Sequence, residues 1–135
     1  VYDLVILGGG SGGYAAALRG AGLGMSVALI ERDKLGGTCL HRGCIPTKAL
    51  LHAADVVTEL KEAARMGVAA EGVRADWAQL QKHEAQVVSS NAAGLDHLMK
   101  SRNVEVIKGT GRLEGARAVA VAAIAVLARP LAEAS

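Results

Sequence analysis

Short, wholly apolar runs alternate along the chain with longer segments whose apolar residues return every three or four positions. Residues 4–7 are continuously apolar, which predicts a strand buried on both faces. Residues 14–21 suit a helix, and Gly22 and Gly24 stop it. A second apolar run, residues 26–30, predicts another buried strand that ends on Glu31. A polar link and the pair Gly36-Gly37 follow. From Thr47 the period is helical again, with Leu50, Leu51, Ala54, Val57, Leu60 and Ala64 on one face. Residues 76–100 predict a long amphipathic helix. Asp76 and Gln79 have capping-box spacing, and Trp77, Leu80, Val87, Val88, Leu95, Leu98 and Met99 mark its apolar side. Residues 104–107 predict a third buried strand that joins a parallel sheet. The order is therefore βα, an inserted pair of long helices, then β: an α/β fold.

Composition narrows the function classes. The chain has 135 residues, which suits one domain with one core. A formal net charge of +2 with 21% charged residues is too balanced for a nucleic-acid or polyanion partner. The most apolar late stretch, residues 118–128, is shorter than the roughly 20 residues a membrane span needs. The opening "VYDLVILGGG" has no basic region of the kind that begins a secretory signal. With only two cysteines, the expected compartment is the reducing cytoplasm. The chain contains no Phe, and its last twenty residues are strongly biased to alanine. No repeat of solenoid period is present. The charges of residues 59–65 read as a solvated face, and His83 and His97 as surface or satisfied residues.

The first candidate chemistry lies between the first strand and helix, where Gly8, Gly10 and Gly13 spell G-x-G-x-x-G. Gly8 permits a tight turn, Gly10 lets the backbone approach a pyrophosphate, and Gly13 lets helix and strand pack closely. The open N–H groups of the helix N-terminus then favour the anion. Glu31 follows Gly13 by 18 residues, near the spacing of a carboxylate that accepts from ribose hydroxyls. A strand before, a helix after and an acid at that distance predict a Rossmann-like dinucleotide site. The later "GTGRLEG" has the wrong spacing for a second one.

The second candidate is "LGGTCLHRGCIPTKALL", residues 35–51, which holds both cysteines. Pro46 is tolerated only in a first helical turn or at a break, so Cys44 lies near the start of a helix. That position, with Arg42 and Lys48 nearby, favours a thiolate. A bond between Cys39 and Cys44 needs a local distortion, which Gly43 can supply. Three readings stand side by side: a redox-active disulfide beside a cofactor, a metal site of Cys39, His41, Cys44 and His52, or two small buried residues. The ligand spacing is longer than usual for zinc, and two cations sit among those candidates. Two merely buried residues would leave the glycines, proline and cations without a purpose.

These residues resemble the active-site segment of the class I pyridine nucleotide-disulfide oxidoreductases, flavoproteins that also bind a nicotinamide nucleotide. Within that group, C-x₄-C-I-P-[ST]-K-A-L-L is most similar to the dihydrolipoamide dehydrogenases, whereas glutathione and mercuric reductases usually read V-P after the second cysteine. The resemblance is close over residues 2–51, looser through "VEVIKGTGRLEG", and fails beyond it. It implies an FAD-binding domain over residues 1–115, with 116–135 an alanine-rich continuation, and no metal. It also implies that FAD lies along Gly8, Gly10, Ser11 and Gly13, with Glu31 and Arg32 at the adenosine ribose. Gly37 and Thr38 would follow the pyrophosphate and ribityl chain, Lys48 would approach the flavin, and Gly111 would touch the adenine side. Cys39 would exchange with substrate, and Cys44 would face the flavin as a thiolate. Electrons would pass from protein-bound dihydrolipoamide through the Cys39–Cys44 disulfide and FAD to NAD. The implied partners are a lipoyl-bearing acyltransferase or a glycine-cleavage carrier protein, and a second subunit in a homodimer. No second dinucleotide fingerprint for NAD and no carboxy-terminal interface domain with its histidine–glutamate pair are found in these residues, so they are expected to be incomplete as a catalyst. A mercuric or glutathione-type reductase is one rival, and a non-catalytic flavin- or nucleotide-binding module with structural cysteines is another. The resembled family continues with a short antiparallel excursion and a strand ending in A-T-G-S, of which "ARPLAEAS" is an echo.

Overall fold

A computed structural model describes residues 1–122 and 124–130. In chain order the elements are β1 (Leu4–Leu7), α1 (Ser11–Gly22), β2 (Val27–Glu31), α2 (Gly37–Arg42), α3 (Cys44–Glu62), a 3-10 turn (Ala63–Met66), α4 (Trp77–Ser101), β3 (Glu105–Lys108), β4 (Gly111–Leu113), β5 (Ala118–Val121) and β6 (Ile124–Leu127). No helix among the described residues is long and apolar enough to cross a membrane.

β2 organises the molecule. It lies between β1 and β3 and pairs in parallel with both, Leu4 opposite Val27 and Ala28 opposite Glu105. Val27, Ala28, Leu29 and Ile30 are all buried. Because side chains alternate along a strand, they feed two cores. Val27 and Leu29 meet Ala17 of α1, Met99 of α4 and Val104 on one face. Ala28 and Ile30 meet Val119, Val121 and Val126 on the other. The second group comes from β5 and β6, which with β4 make an antiparallel sheet of order β4-β5-β6. The result is three layers: helices, parallel sheet, antiparallel sheet. That small sheet is the antiparallel excursion that the resemblance implied, and it includes strands on both sides of residue 115. The strand expected to end near Ser135 falls on residues 131–135, outside the described residues.

The long helices form as predicted, with different packing. Asp76 caps α4, its Oδ1 accepting from the Gln79 N–H at 3.1 Å. Met99 and Leu95 of its expected apolar side reach the core, but Trp77 is 61% exposed. Leu51 and Leu60 of the expected α3 face are exposed too, while Ala49 is buried. α3 and α4 pack together and leave an apolar groove of about 450 Å³ between Val56, Val57 and Leu80. The third strand also departs from expectation. It spans Glu105–Lys108 and is not buried, with Val106 42% exposed. β3 has β2 as its sole strand neighbour among the described residues, and α4 spans a cavity of about 680 Å³ beside it instead of closing over Val106.

Two adjacent glycines of α1 give a sharp test of this packing. A Cβ on Gly13 would enter the van der Waals envelope of the Gly8 carbonyl oxygen, whereas one on Gly12 meets nothing within 4 Å. Gly13→Ala is therefore expected to destabilise by about 1–3 kcal/mol or more. Gly12→Ala is expected to stabilise by about 0.4–1 kcal/mol through the unfolded chain. Urea titration of the two variants reads the opposite signs directly.

Candidate redox and dinucleotide site

The first half of the site is the crossing from β1 to α1. Gly8 has φ +100°, a left-handed conformation that a side chain would strain, and its N–H donates to Ile30 O at 2.8 Å. The chain therefore turns sharply at the end of the parallel strands. The Gly9 N–H donates to Glu31 Oε2 at 2.7 Å, and the Asp33 N–H to Oε1 at 2.7 Å. The Asp33 N–H, ahead of those of Gly9 and Arg32, holds the Glu31 carboxyl below its ordinary value against the opposing effect of burial. Glu31 thus fastens the end of β2 to the glycine turn. Gly8, Glu31, Arg32 and Gly111 line one cleft of about 220 Å³, together with Leu7 and Thr110. Gly10 caps α1 in an extended conformation, and Ser11 opens the helix, exposed. Open space surrounds the positions where side chains on Gly10 and Gly12 would stand. An uncapped helix start with bare backbone around it fits a pyrophosphate, so the residues present suit a dinucleotide such as FAD.

The second half is the cysteine segment. α2 is a helix between the glycine pair and the helical period that starts at Thr47, where the pattern predicts no element, because Gly36, Gly37 and Thr38 are poor helix formers. Gly43 separates α2 from α3 with φ −133° and ψ −107°. This break brings the Cα atoms of Cys39 and Cys44 to 4.7 Å, and their Sγ atoms are bonded. α3 starts at Cys44 and runs 19 residues, with no side chain capping its N-terminus. Pro46 sits in the first turn, where its missing N–H costs nothing. A Cys44 thiolate would thus lie on the positive end of a long helix, with Lys48 exposed one turn later. Arg42 does not add to this as expected: its guanidinium pairs with Asp33 at 2.7 Å. The two sulfurs also differ in outlook. Cys39 lines a cleft of about 450 Å³ with Tyr14, Leu40, Ile45, Asn91 and Leu98. Cys44 is exposed and does not line it.

The alternative metal set is not assembled. The cysteines bond to each other, His41 Nε2 turns to Leu35 O at 2.8 Å, and His52 lies in the groove between α3 and α4. No cluster of three or more His, Cys, Asp or Glu suited to a metal is found among the described residues.

The two halves touch without merging into one cavity. A Cβ on Gly37 would come within 2.9 Å of Gly10 Cα, so the cysteine segment lies directly on the glycine turn. The Gly36 N–H donates to Gly9 O at 2.8 Å and makes the contact a bonded one. Thr38 and Ser11, next in sequence to these glycines, stay exposed, and Lys48 is exposed in α3. Sequence reasoning overlooked the Leu35–Gly36 peptide; only the double glycine signalled a close approach there.

The lowered Glu31 carboxyl fixes a sign. A carboxylate favoured by the folded state contributes stability above its ordinary value of 4.5, and the contribution disappears as pH falls through the lower folded value. Urea midpoints measured from about pH 7 down to about pH 3 should fall more steeply below about pH 4.5 in the native chain than in Glu31→Gln.

Comparison with known proteins agrees with this geometry. The family model described as pyridine nucleotide-disulphide oxidoreductase matches residues 2–128. A dihydrolipoyl dehydrogenase of Bacillus subtilis (strain 168) is 51% identical over 114 residues, 84% of this chain and 24% of that protein. One from Chlamydia pneumoniae is 42% identical over 120 residues, covering 89% of this chain and 26% of its own length. One from Geobacillus stearothermophilus is 40% identical over 119 residues, 88% and 25%. The chain spans about a quarter of the length of these curated relatives. A glycine turn after β1, a carboxylate closing β2 and a bonded C-x₄-C at a helix start, matched over nearly the whole chain, make it a member of the pyridine nucleotide-disulphide oxidoreductase family.

Proposed function

We propose that this chain is the FAD-binding, redox-active part of a dihydrolipoamide dehydrogenase, and that residues 1–115 and their alanine-rich continuation serve one FAD-binding domain. The observation that carries the reading is the bonded Cys39–Cys44 pair, hinged at Gly43, of which only Cys39 opens on a cleft. The dithiol reaction needs that asymmetry. A thiolate of dihydrolipoamide attacks Cys39 Sγ, the Cys39–Cys44 bond breaks, and Cys44 leaves as a thiolate. The second substrate thiolate attacks the substrate sulfur of the mixed disulfide and expels Cys39 as a thiolate. The substrate closes to lipoamide, its two protons leave for solvent, and its two electrons now reside on the cysteine pair. The start of α3 favours the Cys44 thiolate, as a good leaving group requires.

Glu31, Gly8 and Gly111 would hold the adenosine end of FAD, with Arg32 beside them. Gly10, Ser11, Gly13, Gly37 and Thr38 would follow its phosphates and ribityl chain, and Lys48 would stand near its ring. FAD, when bound, supplies the two-electron acceptor that links the dithiol to NAD. The NAD would be held by a domain outside these residues. Among the described residues, no charged side chain lines the Cys39 cleft. This favours an uncharged aliphatic dithiol over glutathione, whose carboxylates would be desolvated there without partners. On this reading the partner is a lipoyl-bearing acyltransferase or glycine-cleavage carrier protein, the working form a homodimer, and the place the cytoplasm.

Cys44→Ser in the full-length flavoprotein is expected to lower dihydrolipoamide oxidation by about a thousandfold or more. It should also abolish the long-wavelength thiolate–flavin absorbance on partial reduction, and anaerobic titration should register two electrons where the native protein takes four. Uptake of two electrons by both proteins would mean that the cysteines do not cycle.

A further inference from the structure

α2 carries Cys39 yet has little to hold it. It has six residues, no side-chain cap and one buried residue, Leu40. A helix this short does not persist on its own propensity. Two side chains of α2 reach back to the loop after β2. Arg42 pairs with Asp33, but both groups are mostly exposed, with side-chain accessibilities of 66% and 53%. Exposed pairs of this kind contribute little. His41 is the stronger tie. Its Nε2 meets Leu35 O at 2.8 Å in a half-buried setting. A carbonyl oxygen only accepts, so Nε2 carries the proton and donates.

What that carbonyl belongs to matters most. Leu35 C=O and Gly36 N–H are the two ends of one peptide unit. Its N–H donates to Gly9 O at 2.8 Å, and Gly9 N–H donates in turn to Glu31 Oε2 at 2.7 Å. Hydrogen bonds therefore lead from His41 through the Leu35–Gly36 peptide to the Gly9 carbonyl, and the Gly9 N–H, in the adjoining peptide, ties the same turn to the Glu31 carboxylate. The two bonds that share the Leu35–Gly36 peptide polarise each other and hold its orientation better than either alone. We propose that His41 is a positioning residue: it locks the Leu35–Gly36 peptide and so holds the Cys39 helix against the glycine turn, in the geometry in which Cys39 and Cys44 close their bond.

Releasing α2 lets Cys39 spend less time within reach of Cys44, which lowers the effective concentration of one thiol at the other and disfavours the disulfide. The test uses the full-length flavoprotein in dithiothreitol buffers of fixed ratio, quenched and counted for free thiols by maleimide mass. It rests on the reading that the pair cycles, and native protein whose pair stays closed in every buffer overturns that reading and this one together. If the native pair opens, His41→Leu is expected to raise its dithiol-to-disulfide ratio about fivefold at a given buffer, the size of one such hydrogen bond. His41→Gln, which keeps an N–H donor at similar reach, should restore the native ratio, and Arg42→Gln should leave it unchanged. Should His41→Leu fail to fold, His41→Asn, whose amide is too short to reach, serves in its place. A melting temperature that falls while the ratio stays native, or a shift that His41→Gln does not reverse, overturns the positioning role.

Discussion

The site depends on one close approach, that of the cysteine segment to the first glycine turn. Any side chain on Gly37 would press on Gly10, and the bond from Gly36 N–H to Gly9 O draws the two backbones together. Without that contact the fold would still own a cleft beside Glu31 and a bonded cysteine pair, but they would be unrelated features of one surface. With it, the stretch between Glu31 and Cys39 becomes a short brace with fixed ends.

β2 makes the brace possible. Its alternating residues face two cores at once, so its carboxyl end, where Glu31 stands, is held from the helical side and from the antiparallel sheet. Ligands of open parallel sheets bind at the carboxyl ends of the strands. Here that edge carries the Gly8 turn, the Glu31 carboxylate and Gly111 side by side. The rigid part of the molecule lies directly under the part that has to keep a fixed geometry.

How much of this was legible in the sequence follows from how local each cause is. β1, β2, α1, α3 and α4 announce themselves through apolar period, and the cap at Asp76 and the break at Gly43 through residue type. G-x-G-x-x-G and C-x₄-C were readable because a tight strand-to-helix turn and a bonded thiol pair place demands on nearby residues. α2 was hidden because Gly37 and Thr38 at its start are poor helix formers and its hold comes from residues elsewhere in the chain. The exposure of Val106, Leu51 and Trp77 was hidden for a related reason. Apolar period tells which side of an element could be covered, whereas its neighbours decide whether it is. Arg42 was read as a cation beside the thiols from its position in the chain, but Asp33, nine residues earlier, takes it. The tie made by His41 left no trace in the pattern, because its acceptor is a backbone carbonyl.

The cross-link itself closes a very small ring, since its cysteines are separated by only five positions. In the chain-entropy view such a ring restrains the unfolded polypeptide by about 2 kcal/mol, against nearly 5 kcal/mol for one enclosing a hundred residues. The three layers therefore owe less of their cohesion to this bond than they would to a bridge across a long loop. On the proposed reading, a cross-link that restrains so little chain is one that can open and close at a smaller cost to the fold than a long-loop bridge would carry.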